Sequence, residues 1–208
     1  MDTNLICVMK NFKHSKNSSR LEDGVSSATG TIAGHEYVDL GLSVRWATCN
    51  IGADSPEDYG HYYAWGEISP KSSYTENNSK TYKKDYGDIG GNASYDAARA
   101  NWGESWCLPT DLDIRELISE CKGEWTTMNG KSGYKFTSKV NGKSIFLPAA
   151  GSRFHSSLHS TDTYGLYLSS TAVYHYHSHA NVLYIRPRRV DLDIEYCPCG
   201  VSVRPVSW

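Results

Sequence analysis

The stretch from Tyr167 to Val206, YLSSTAVYHYHSHANVLYIRPRRVDLDIEYCPCGVSVRPV, decides how this 208-residue chain is read. Val190, Leu192, Ile194 and Tyr196 share one parity and Asp191, Asp193 and Glu195 the other, the period-2 pattern of a half-buried strand. Leu183 and Ile185 precede this run, and Val201 and Val203 follow it. The basic turn Arg186, Pro187, Arg188, Arg189 joins the first two segments, and Gly200 punctuates the last two. That spacing predicts a three-stranded antiparallel meander. Upstream, Tyr174, His175, Tyr176, His177 and His179 crowd into a segment with no apolar periodicity, followed by Asn181. Side chains that pack and hydrogen-bond at once suit a recognition surface better than a core.

Working outward, residues 1–34 read as a disordered tail or linker and 35–208 as one domain, because Ser, Asn, Lys, Thr and Gly dominate the chain after Phe12. EYVDLGLSVRWATCNIGA predicts two strands around Gly41, and SPEDYG the start of a short helix. Tyr62 to Trp65 predicts another strand. Residues 69–91 read as a long surface loop, of the kind that carries function or variability. SYDAARANW predicts a helix. So does the segment after Thr110, an N-cap with Asp113 in the reciprocal position of a capping box. Leu112, Leu117 and Cys121 are expected to face inward there, with Glu116 and Glu120 on the solvated side. Apolar runs on either side of Asn141-Gly142 predict a hairpin. No strand-helix alternation and no phosphate-binding glycine loop occurs, so the class is α+β: short helices on an antiparallel, partly irregular sheet.

A net charge of -2 provides no basic field for nucleic acid, and no apolar run approaches the roughly 20 residues of a membrane span. The apolar island from Leu5 to Met9 is too short for a secretory-signal core. Six cysteines without framework spacing and without a C-x-x-C pair predict free thiols, most of them buried.

Five segments, EYVDLGLSVRWATCNIGADSPEDYGHYYAWGE, WGESWCLPT, SIFLPAAGSR, YGLYLSS and GVSVRPV, resemble in order and spacing the Fibrobacter succinogenes major paralogous domain over about His35 to Val206. Cys107 stands where that family usually has Arg, and Leu168 where it usually has Trp. The resemblance implies a C-type lectin-like fold, distantly similar to the formylglycine-generating enzyme architecture, in an exported or cell-surface protein. It also points to the variable ligand-binding proteins of diversity-generating retroelements, whose diversified site is the C-terminal meander and its neighbouring loop. The positions that match that pattern are Tyr184, Arg186, Arg188, Arg189, Asp191, Asp193, Glu195, Tyr196, Cys197 and Cys199, with Tyr174 to His179 upstream.

On a strand, His175, His177 and His179 would share a face, as a three-imidazole metal site requires, with Cys197 or Cys199 as a further ligand. Convergence and a second shell cannot be read from spacing, and the expectation is a histidine-rich binding surface with no metal or other cofactor. Asp191, Asp193 and Glu195 with Arg186, Arg188, Arg189 and Arg204 predict a cross-strand ion-pair ladder. The calcium and sugar motifs Glu-Pro-Asn, Gln-Pro-Asp and Trp-Asn-Asp are absent from the sequence. The expected function is therefore non-catalytic binding of a protein or glycan. An enzyme using the histidines or Cys197 and Cys199, and a purely structural module, are the alternatives.

Overall fold

The computed structural model describes residues 28–103 and 105–208. The chain opens with a hairpin of β1 (Gly30–Ile32) and β2 (His35–Val38), reversed by Ala33 and Gly34 at positive φ. The boundary drawn at Gly34 thus falls inside paired structure, because Thr31 and Ile32 gain partners in Glu36 and His35 that composition does not reveal. The expected tail over residues 1–27 lies outside the described residues. β3 (Arg45–Ala47) pairs with β2, and β4 (Tyr62–Tyr63) is shorter than the strand expected up to Trp65. Between them SPEDYG makes a single turn and no helix. The Asp58 amide donates to the Ser55 carbonyl, the Ser55 hydroxyl donates to the Asp58 carboxylate at 2.8 Å, and Gly60 at φ 69° ends the turn. One turn with no apolar face does not pass the nucleation cost of a helix.

Both later helices form within the segments predicted for them. α1 (Ala97–Trp102) is capped by Asp96, whose side chain accepts from the Ala98 and Arg99 amides. α2 (Asp111–Glu120) has the Thr110–Asp113 capping box. Ile114, Leu117 and Cys121 are buried on its inner side, whereas Leu112 is 76% exposed. At 100° per residue position 112 lies about 200° from position 114, so the two cannot face the same way. Glu116 is not merely solvated: its carboxylate accepts from the Ser43 amide and hydroxyl.

β5 (Cys121–Met128), β6 (Lys131–Ser138) and β7 (Ser144–Pro148) form an antiparallel sheet turned at Asn129-Gly130 and Asn141-Gly142. A small hairpin follows, β8 (Ser152–Phe154) with β9 (Ser157–His159). Then come β10 (Gly165–Ala172), β11 (His179–Arg186), β12 (Arg189–Tyr196), β13 (Val201–Ser202) and β14 (Val206–Ser207). Strands take 40% of the described residues and helices 11%, which makes the fold a sheet-rich member of the α+β class.

The central sheet has the order β12-β11-β10-β13-β4. The β11–β12 hairpin stands in the register that its alternation predicts, with Leu183 opposite Leu192 and Arg186 opposite Arg189. The meander does not continue as expected. Val201 and Val203 do not lie beside β12; β13 crosses to the far side of β10, parallel to it, and pairs antiparallel with β4. Alternation marks a strand but does not name its neighbour. Here the Cys199 amide closes a turn on the Tyr196 carbonyl, and the Cys197 carbonyl accepts from Trp65, which steers the chain away from β12.

Successive residues of this sheet serve two cores. Tyr167, Leu183 and Ile185, with half-buried Val190 and Leu192, pack against Ile114, Leu117, Phe136 and Leu147. Leu166, Leu168, Val182 and Val203 pack against Tyr63, Trp65, Ile89 and Ala98. Arg204 crosses this interior fully buried. Its guanidinium donates to Asn50 Oδ1 at 2.9 Å and to the carbonyls of Ala47, Thr48 and Phe146, and burial lowers its pKa. Every acceptor is neutral, so the cation is held by dipoles alone.

Candidate recognition surface

The Tyr and His segment is the connection between β10 and β11. It is a turn, so the row of three histidines that a strand would align does not form. The Tyr176 amide donates to Val173, the His179 amide donates to Tyr176, and His175 sits at φ 67°. Only His179 belongs to a strand. A positive φ at a residue other than glycine interrupts the alternation on which a shared face depends. Among the described residues no group of three or more His, Cys, Asp or Glu is arranged to hold a metal ion. What the turn does present is two rings, Tyr174 at 74% and Tyr176 at 63% exposure, between exposed His175 and His177.

The turn is pinned from both sides. Lys83 donates its amide to the His177 carbonyl at 2.9 Å, and Asp85 lies 3.9 Å from the His177 ring. Asn181 Nδ2 donates to the Thr171 and Ala172 carbonyls across the β10–β11 end, where the register shifts. Residues 69–91, read as a surface loop, supply these props because Tyr74, Thr81 and Ile89 are buried and root the segment in the core.

Tyr196 meets the same segment. Its hydroxyl donates to the Glu76 carboxylate and lies 2.5 Å from the Tyr82 hydroxyl, and its ring meets Tyr82 and His179 edge-on. Desolvation first, then the bonds to Glu76 and Tyr82, hold the Tyr196 phenol above its ordinary range. Lys83 lies over the Tyr82 ring at 4.8 Å. Glu76, Tyr82 and Lys83 escape sequence reasoning; the only signal for them is a long loop containing several tyrosines.

The arginines lie at the opposite end of the hairpin, whereas Glu195 pairs with Ala180 beside the His179–Tyr196 end and Asp193 with Val182 between the two. From His179 to Arg186 is seven steps of β11, about 23 Å at the usual rise. The predicted site therefore runs the length of the hairpin, with the histidines at one end and the arginines at the other. Arg189 bonds Asp191 and, at 3.1 Å, Asp193. Arg186 and Arg189 lie over the Tyr184 ring at 5.4 and 5.5 Å, and Arg188 is exposed. Arg204, expected in this ladder, is in the core instead, since buried Val203 and Val206 carry it inward. Asp193, Ile194 and Glu195 line a cleft of about 350 Å³ with Tyr164, Leu166 and Tyr184. Ile194, expected to face inward, is 47% exposed, because β12 is the outermost strand.

All five described cysteines are free, and Cys7 lies outside the described residues. Burial pushes the Cys197 and Cys199 thiols up to about 12, with Glu195 adding to the shift at Cys199. No helix among the described residues is long and apolar enough to cross a membrane. No family model, curated protein or solved structure matches the chain.

Proposed function

We propose that this domain is a non-catalytic recognition module of C-type lectin-like architecture, borne by an exported or cell-surface protein. It binds a protein or glycan through the Tyr174–His177 turn and the adjoining β11–β12 hairpin, the part that resembles the diversified region of retroelement variable proteins. The observation that carries this reading is the pinned aromatic turn. Tyr174 and Tyr176 project from a backbone tied to the Lys83 amide, with Asp85 beside the His177 ring, so two large rings are offered with little further ordering required. Rings of that kind form the anchors of interfaces, and the neighbouring imidazoles add hydrogen-bonding partners. The raised thiols of Cys197 and Cys199 weigh against catalysis by that pair, because the thiolate is the nucleophile.

The test is binding of the full chain to a panel of extracellular proteins and glycans, beside Tyr174→Ala/Tyr176→Ala. A ligand that binds the parent and loses roughly tenfold or more in affinity to a variant of unchanged thermal stability supports the turn as the anchor. Equal binding by both proteins overturns it.

A further inference from the structure

β12 is the open edge of the central sheet. Among the described residues no backbone group pairs with its outer side along all eight positions. An uncovered edge of that length is a template for another strand. Two of its outward amides are nonetheless engaged. Ile194 donates to Oδ1 of Asp193 at 2.9 Å, and Tyr196 donates to Oε1 of Glu195 at 2.7 Å. Each carboxylate caps the amide of the residue that follows it. Alternation places the Val190 and Leu192 amides on the same outer side. The cleft of Tyr164, Leu166, Tyr184, Asp193, Ile194 and Glu195 opens beside the capped half of the strand.

We infer that this edge is a docking rail for an extended, basic segment of a partner protein, and that Asp193 and Glu195 are its displaceable caps. The inference rests on reading the β11–β12 hairpin as a recognition surface and specifies its occupant. Charge complementarity selects that occupant. Asp193 already shares Arg189, while among the described residues Glu195 meets no guanidinium or ammonium group within salt-bridge reach. A Lys or Arg arriving on an added strand takes over the carboxylates and frees the Ile194 and Tyr196 amides for main-chain pairing. Tyr184 already attracts two cations of its own chain, and with Tyr164, 5.7 Å away edge-on, it walls the cleft for the stem of a third. Main-chain bonds then supply affinity and the cleft supplies the preference for a basic residue.

The experiment titrates the full chain with an alternating Lys-Thr decapeptide, its Glu-Thr counterpart, and a Lys-Thr peptide of equal charge carrying prolines at alternate positions. Calorimetry reads affinity, and amide exchange reads Ile194 and Tyr196. Expected is binding of the first peptide alone, with slowed exchange at both amides, and a loss of roughly tenfold in Asp193→Asn/Glu195→Gln, which keeps the acceptor oxygens and removes the charge. Tyr174→Ala/Tyr176→Ala should leave this response unchanged, so the edge and the aromatic turn fail separately. Equal binding of the proline peptide reduces the effect to unstructured charge attraction and overturns the inference. It also falls if Asp193→Ala/Glu195→Ala self-associates while the parent binds no peptide, since the caps then serve only to keep two copies of this chain apart.

Discussion

Residues 186–196 and 201–207 are close in sequence and both contribute strands, yet they differ in burial and in where their partners come from. The first set is a hairpin whose ion pairs are made within itself, Arg189 with Asp191 and Asp193, on a side open to water. The second is buried throughout and makes no local partner: β13 pairs with Tyr167 and Tyr63, β14 with Trp46, and Arg204 reaches Ala47 and Phe146. The hairpin is structure that neighbours specify; the terminal segment is structure that the rest of the chain specifies. Stability belongs to the second and adaptability to the first.

The sharpest way to break this contrast is Arg204→Ala. The five acceptors of its guanidinium lose their donor, and a loss of about 3 kcal/mol or more is expected in urea unfolding, enough to threaten folding altogether. Thiol labelling sharpens it next. At pH 8 a thiol with a pKa of about 12 exposes about a thousandfold less thiolate than one at 9, so Cys107, Cys197 and Cys199 should resist iodoacetamide until unfolding. Among the described thiols, half-exposed Cys49 should label first, by mass spectrometry. The same shifts fix a pH dependence. A thiol whose folded pKa is raised favours the fold in its neutral form, so this contribution is intact below about pH 9 and is lost as pH climbs through about 12. Equilibrium unfolding at graded alkaline pH reads that loss.

Smaller effects belong to the hairpin. Tyr196→Phe removes the bonds to Glu76 and Tyr82 and should lower stability slightly, with faster amide exchange in residues 76–85 as its local signature. Arg189→Ala should have the smallest effect on unfolding and become silent at high salt, because both of its ion pairs are exposed.

The elements legible in the sequence are those with a local code. Thr110 and Asp113 announce α2, Asn141-Gly142 announces the β6–β7 turn, and alternation announces the β11–β12 register. What alternation does not carry is adjacency, and so β13 was expected beside β12 when it lies between β10 and β4. The candidate surface was legible as a list of residues and not as a place. Tyr174 and Tyr176 are exposed as a segment without periodicity should be, but His175 at positive φ disperses the histidines, and the 23 Å of β11 parts them from the arginines. The supports Glu76, Tyr82, Lys83 and Asp85 come from a stretch about a hundred residues earlier, and no periodicity connects the two.

The position of β13 also sets an order of events during synthesis. A ribosome delivers β4 and β10 long before the strand that belongs between them, and β3 long before the β14 that flanks it. Until residues 201–207 emerge, the central sheet has a slot in its interior, and Tyr63, Leu166 and Leu168 lack Val201 and Val203 as cover. Local hairpins and α2 can form earlier, but closure waits for contacts spanning some 140 residues, which slows folding and leaves apolar surface exposed meanwhile. Nascent chains stalled before residue 201 should accordingly recruit chaperones that the released protein does not need.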